Sequence, residues 1–168
     1  MQRVAKGFTM VELLITLIIA GIIIAFATPS FLDLMERNRV KSTTEQLADL
    51  LRLSRVVAVE QRNEVSVCGS SDKSSCDNEW SSSIIAVKRG EAAENDEILA
   101  SLEVSDRITI TKNGTHTRVD FRVTGWAPGD NTEFLVCPVD GKASNGYKII
   151  VSSSGKIKLQ AGKEEEWC

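Results

Sequence analysis

The sequence predicts an α+β protein: a long N-terminal α-helix, transmembrane in its first half and amphipathic in its second, packed on an antiparallel β-sheet head. Three patterns carry that expectation. Apolar residues run with little interruption from Phe8 to Ala27, and a stripe at helical spacing follows between Leu47 and Gln61. From Val65 onward the chain switches to short segments of period-two alternation separated by turn residues. The expected divisions are a leader at 1–7, a membrane helix at 8–28, its amphipathic continuation at 29–62 and a β-rich head at 63–168.

The stretch from Phe8 to Ala27 has about twenty residues, roughly 30 Å as a helix, which is enough to cross a hydrocarbon core. Arg3 and Lys6 precede it, so the positive-inside rule puts the N-terminus in the cytoplasm and the head across the membrane. Glu12 sits five residues into this run. An ionised side chain there costs on the order of 2.5–3.5 kcal/mol. A cleavable secretory signal, with Ala25-Phe26-Ala27 as its processing site, gives that carboxylate no purpose, and neither does a simple uncleaved anchor. Cleavage between Gly7 and Phe8 does. It creates an amine on Phe8, and the amine of one subunit pairs with Glu12 of a neighbour, so two charges that lipid penalises neutralise each other.

Beyond Pro29 the helix is expected to continue to about Arg62. Leu47, Leu50, Leu51, Ser54, Val57, Ala58 and Gln61 recur at i, i+3, i+4, i+7 spacing, a stripe shaped to lie on a sheet. Asn63 is the expected stop. Strands are predicted at 65–68, 84–88, 97–102, 107–111, 118–123, 132–137, 147–152 and 156–160. Asn113-Gly114 and Ser154-Gly155 read as hairpin turns, Pro128-Gly129-Asp130 as a β-turn, and Gly69–Ser75 as an exposed polar loop.

Composition excludes several function classes. The 168 residues carry 20 Lys+Arg against 23 Asp+Glu, with a net charge of −3, so the total does not describe a strongly basic nucleic-acid binder. A single histidine, His116, rules out histidine-cluster metal sites and most histidine acid–base schemes. His116 adjoins the Asn113-Gly114 turn and reads as a solvent-exposed neighbour of it. Glu164-Glu165-Glu166 reads as a solvated charge run, and neither a nucleophile motif nor a phosphate-cradling glycine loop is present. Neither an enzyme nor a cofactor is expected.

Cys68, Cys76, Cys137 and Cys168 form no C-x-x-C pair, and an even count in an exported chain fits two disulfides in an oxidising compartment. Three connectivities are open. Pairing nearest neighbours gives Cys68 with Cys76 and Cys137 with Cys168, worth about 2.6 and 3.7 kcal/mol on the loop-entropy account. The second bridge would also tie down the C-terminus.

Gly7-Phe8-Thr9-Met10-Val11-Glu12-Leu13 resembles the class III leader junction of type IV prepilins and type II secretion pseudopilins. The resemblance implies that a prepilin peptidase cuts after Gly7 and methylates the Phe8 amine. It also implies residence in the bacterial inner membrane as a single-pass protein with a periplasmic head, followed by incorporation into a filament. Removing residues 1–7, with Arg3 and Lys6, takes the formal charge from −3 to −5. Pro29 falls where pilins carry a helix-loosening proline, which deletes an i→i−4 hydrogen bond. The alternative for Pro29 is a kink at the membrane exit.

The head is similar to the GspH/FimT group of minor pilins and pseudopilins, through Ser54-Arg55, Ala58-Val59, the Phe121-x-x-x-Gly125 step and the closing Tyr147–Val151 and Gly155-Lys156-Ile157-Lys158 segments. Within that group its two cysteine pairs most resemble the FimU type. The implied role is a minor pilin joining the tip or priming complex to the shaft, in contact with other minor pilins and the major pilin. Two alternatives remain open, a GspH-type pseudopilin of type II secretion and a DNA-binding minor pilin. Some FimT-type members bind DNA through Gly-Arg-x-Arg; here Lys156 and Lys158 replace the arginines. The acidic run at 164–166 and the negative mature charge argue against nucleic acid as a partner.

Overall fold

The computed structural model describes residues 8–90, 95–114, 116–129, 131–139, 143–162 and 167–168. The chain divides into two compact units, Met1–Met35 and Glu36–Cys168. In the first, the described residues are Phe8, Thr9 and the N-terminal part of α1 (Met10–Glu60). An 18-residue window of α1 has a mean hydropathy of 2.7 with none of it buried, so the helix is long and apolar enough to cross a membrane.

The second unit holds the remainder of α1 and eight strands: β1 (Val65–Ser70), β2 (Ser83–Lys88), β3 (Glu97–Glu103), β4 (Ile108–Asn113), β5 (Val119–Phe121), β6 (Thr132–Pro138), β7 (Tyr147–Val151) and β8 (Ile157–Ala161). They form two antiparallel four-stranded sheets, ordered β3-β2-β1-β5 and β4-β6-β7-β8. This is the predicted α+β architecture. Val40, Leu47, Ala48, Leu50, Leu51 and Ala58 of α1 are buried in one core with Val65, Val67, Ile84, Phe121, Phe134, Val136 and Ile149 from the sheets. Polar residues survive on this helix face by satisfying their own hydroxyls. Thr44 Oγ1 donates to the Val40 carbonyl and Ser54 Oγ to the Leu50 carbonyl, each at 2.7 Å. Trp80, between β1 and β2, packs its ring 5.0 Å from Phe134 of the other sheet.

β1 is buried along its whole length: β2 pairs with all six of its residues, β5 with Val65–Val67, and the segment Asp77–Trp80 closes over Gly69. Val65 and Val67 join the main core, whereas Cys68 joins Ile85 and Val87 in a small cluster on the opposite face. On that outer face Ser66 donates to Asp120 at 2.6 Å and receives Arg89 Nε at 3.0 Å, and Arg89 in turn pairs with Asp96 at 2.8 Å.

Several local expectations change. Gly69 and Ser70 belong to β1 rather than to an exposed loop, and a Cβ on Gly69 would sit 2.7 Å from the backbone of Glu79 and Trp80. Asn113-Gly114 closes no hairpin: β4 pairs with β6, while β5 crosses to the other sheet and pairs with β1. β5 stops at Phe121, so Arg122 and Val123 lie in a turn. The helix ends at Glu60, leaving Gln61 exposed beyond it instead of on the core face. The terminating residue is Arg62, with φ of 51°, and the Asn63 amide reaches back to the Ala58 carbonyl at 3.2 Å, a Schellman-type stop. Ser154-Gly155 does close the β7–β8 hairpin, with Gly155 at φ 74°.

Candidate functional site

The first candidate region is the start of α1. Gly7 lies outside the described residues, as do Glu164–Glu166 and Asp130. Phe8 and Glu12 are exposed. Thr9 precedes the first helical residue, and its Oγ1 accepts the Glu12 amide at 3.2 Å while its carbonyl accepts the Leu13 amide at 3.2 Å. Thr9 is thus the N-cap and Glu12 the third helical residue, which is half of a capping box. The Thr9-x-x-Glu12 spacing is a sequence signal for such a cap, and reading Glu12 only as a charge in lipid overlooks it. An acid in the first turn also faces the positive end of the helix dipole. Glu12 therefore has a local reason to be tolerated in addition to any intermolecular one.

Further along, Thr16 Oγ1 donates to Leu13 O at 2.8 Å and Thr28 Oγ1 to Ile24 O at 2.7 Å, so the hydroxyls in the apolar stretch return to their own backbone. The backbone stays helical through Pro29. Proline has no amide hydrogen, so position 29 gives no i→i−4 bond to Ala25 and the ladder is thinned there without being broken.

In the head, two disulfides join Cys68 to Cys76 and Cys137 to Cys168, with Cα separations of 5.6 and 5.7 Å. The first fastens the loop after β1 over the outer face of its own sheet. Inside that loop Asp72 receives the amides of Ser74 and Ser75, both at 2.8 Å, and the hydroxyls of Ser70, Ser74 and Ser75. Asp77 receives the Ser71 hydroxyl and the amides of Ser71 and Glu79. Hydrogen bonds from Ser74 foremost hold the Asp72 carboxyl well below the ordinary carboxylate range, and those from Ser71 foremost lower Asp77. The second disulfide fixes Cys168 to β6, and beside it the Lys148 ammonium lies 4.7 Å over the Trp167 ring and 3.3 Å from Glu133.

Lys156 and Lys158 are exposed on and beside β8. His116 is exposed, and its carbonyl accepts the Lys112 ammonium. Burial pushes the Lys112 amine below the usual lysine range. A cleft of about 400 Å³ is lined by Glu36, Arg39, Asp106, Arg107 and Pro138, a set with no nucleophile beside a base. Among the described residues no group of histidine, cysteine and carboxylate side chains is placed to hold a metal ion.

A residue that the sequence reading gave no role is Arg55. Its Nε donates to the Gly125 carbonyl at 3.0 Å and its Nη2 lies 3.5 Å from the Ser154 carbonyl. One side chain thereby ties the end of α1 to the turn after β5 and to the β7–β8 hairpin.

The family profile of the prokaryotic N-terminal methylation motif matches residues 2–28, and that of the type II transport protein GspH matches residues 43–155. The chain is 34% identical to the type IV narrow pilus major component PilA5 of Thermus thermophilus over 64 residues, 38% of this chain and 54% of that protein. It is 43% identical to the type IV major fimbrial protein FimA of Dichelobacter nodosus over 53 residues, 32% of each. The chain thus spans about half of PilA5 and a third of FimA. Among solved structures, the minor pilin FimU of Pseudomonas aeruginosa superposes with a TM-score of 0.63 at 20% identity, over 78% of this chain and 95% of FimU. The minor pseudopilin EpsH of Vibrio cholerae superposes with a TM-score of 0.58 at 8% identity, over 76% of this chain and 99% of EpsH. These likenesses establish a pilin fold, and pilins and pseudopilins are structural proteins, not enzymes. With the head profile matched across most of its length behind an N-terminal methylation motif, the chain belongs to the GspH family of type IV pilin-like proteins.

Proposed function

We propose that this protein is a minor pilin of a type IV pilus. A prepilin peptidase cuts between Gly7 and Phe8 and methylates the Phe8 amine, and the processed chain joins the tip or priming complex above the shaft. The observation that carries this reading is the pairing of a full assembly segment, an apolar helix with Glu12 in its first turn, with a disulfide-bonded head of FimU-like fold.

In the proposed mechanism the chain waits in the inner membrane with its head in the periplasm. Extraction into the filament brings the Glu12 carboxylate against the amine of an adjacent subunit, removing two uncompensated charges from an apolar core. The thinned hydrogen-bond ladder at Pro29 lets the helix loosen locally as subunits pack. The head contacts other minor pilins and the major pilin. Deleting the gene is expected to lower the number of surface pili; unchanged piliation and twitching would reject the role.

A second reading, a pseudopilin of a type II secretion filament, draws on the GspH profile and the EpsH-like fold and uses the same assembly physics. In that case deletion would impair secretion and leave pili intact. DNA binding through Lys156 and Lys158 has less support, because both are single exposed lysines on a chain of net charge −3.

A further inference from the structure

Three segments converge at the end of the head where α1 stops: the last turns of the helix, the turn after β5 and the β7–β8 hairpin. A Cβ on Gly125 would lie 3.1 Å from Val59, and one on Gly155 would lie 2.0 Å from the Gly125 carbonyl. The turn after β5 is closed by the Gly125 amide donating to Arg122 O at 2.7 Å and by the Arg122 amide donating to Trp126 O at 2.8 Å. On this platform large apolar side chains face solvent: Trp126 is 62% exposed, Val56 50%, Val123 47% and Val59 46%. An exposed tryptophan flanked by valines marks an interaction surface rather than a lone surface residue.

Its rim is basic. Arg55, Arg62, Arg122 and Lys156 stand there against two acids, Glu60 and Glu64. Among the described residues, Arg55 donates to the neutral carbonyls of Gly125 and Ser154, and Arg122 stands 3.7 Å from Glu64. The excess is positive on a chain whose net charge is −3. Two copies meeting through this same face would bring like charges together, which disfavours a two-fold contact and favours a heterologous one.

We propose that this face docks an acidic segment of a neighbouring filament subunit, with an apolar side chain of that segment seated on Trp126. The proposal rests on the reading of the protein as a filament subunit. Protein is favoured over nucleic acid because the exposed apolar residues of these segments are one tryptophan and three valines, with Glu60 and Glu64 among the basic groups. A single-strand site instead lines a continuous basic groove with stacking rings.

The test places photoreactive benzoylphenylalanine at Val123 of the full-length protein, in cells that assemble the filament, leaving Trp126 intact. Irradiation is expected to yield an adduct with one other filament subunit, in a segment of net negative charge. Trp126→Ala, or Arg122→Glu with Lys156→Glu, should each lower that adduct by about tenfold or more at unchanged protein level, as loss of a central anchor does. Reversing an acid of the captured segment to lysine should restore it to the Arg122→Glu, Lys156→Glu protein. Adducts only with lipid or with a second copy, or an adduct indifferent to charge reversal, would overturn the proposal. So would salt-sensitive binding of a fluorescent oligothymidylate to the full chain in detergent that Trp126→Ala abolishes. Recovery of the protein in sheared filaments with no adduct rejects the docking face alone, whereas absence from filaments rejects the subunit reading and the docking face with it.

Discussion

The Arg55 guanidinium donates through Nε to the Gly125 carbonyl at 3.0 Å, joining the end of the helix to a turn 70 residues later. Gly155 packs against the same junction, and the space for its missing Cβ is taken by the Gly125 oxygen only 2.0 Å away. Helix, turn and hairpin are thereby held at one point by a side chain and by the lack of one.

Gly155→Ala should accordingly be among the more damaging single changes in the head. It forces a Cβ into a backbone oxygen and also places alanine at φ 74°. A loss of at least about 3 kcal/mol is expected. Gly114 is the control: at φ 125° it too is strained for alanine, yet its Cβ would meet Thr132 at an ordinary 3.6 Å. Gly114→Ala should cost only the backbone term, about 1–3 kcal/mol. Denaturant unfolding of both full-length variants in detergent compares them, and equal losses would show that the contact with Gly125 is not what matters.

Much of this fold was legible because periodicity reports burial directly. Ile108 and Ile110 alternate with exposed Thr109, and Val119 and Phe121 flank a partly exposed Asp120. The helix stripe from Leu47 to Ala58 is likewise a direct readout of the sheet beneath it. Strand partners were not legible in the same way. Asn113-Gly114 is a sound local turn signal, but β5 gains more by pairing with β1, whose position is set by a core no local window contains. Arg55 stands out in the sequence only as part of the family resemblance; its contacts are not legible there, since its acceptors are carbonyls 70 and 99 residues away. The Thr9–Glu12 cap was readable in principle, because its signal is a four-residue spacing.

The two disulfides should contribute unequally. Cys137 and Cys168 are 31 residues apart and Cys68 and Cys76 only 8, so loop entropy assigns about 3.7 kcal/mol to the first and about 2.6 kcal/mol to the second. Replacing each pair by serine and comparing thermal midpoints should give that order. The Cys137→Ser, Cys168→Ser variant should in addition be cleaved faster by protease at Trp167, since the strap to β6 is gone.

Acid should release the loop after β1. Asp72 and Asp77 have carboxyls lowered from the ordinary 3.8 by hydrogen bonds that favour the ionised form. A depressed pKa adds stability that is fully present above the unfolded value and is lost as pH falls through the folded one. The thermal midpoint of the natural chain should therefore exceed that of Asp72→Asn at neutral pH. The gap should narrow once pH drops below about 3.8 and close at lower pH. A gap that stays constant down to strong acid would mean that the carboxylate charge is not what orders the loop.

The decisive change at the assembly end is Glu12→Val, because the cap and the carboxylate can be separated there. Thr9 Oγ1 accepts the backbone amide of residue 12, so valine keeps that bond while removing the charge. If Glu12 serves only the helix start, Glu12→Val should lose no more than the first-turn dipole term, about 0.3–1 kcal/mol, and Thr9→Ala, which removes the cap at about 1 kcal/mol, should be at least as harmful. If Glu12 pairs with a neighbour's amine, the order reverses. Glu12→Val should then be processed to a methylated Phe8 and keep a protease-resistant head, yet fall to a small fraction of the normal amount in sheared filaments. Mass spectrometry of the mature N-terminus and quantitation of the filament fraction read the two properties separately. Normal incorporation of Glu12→Val would leave the head as the part that positions the subunit, and would reduce Glu12 to the third residue of a capped helix.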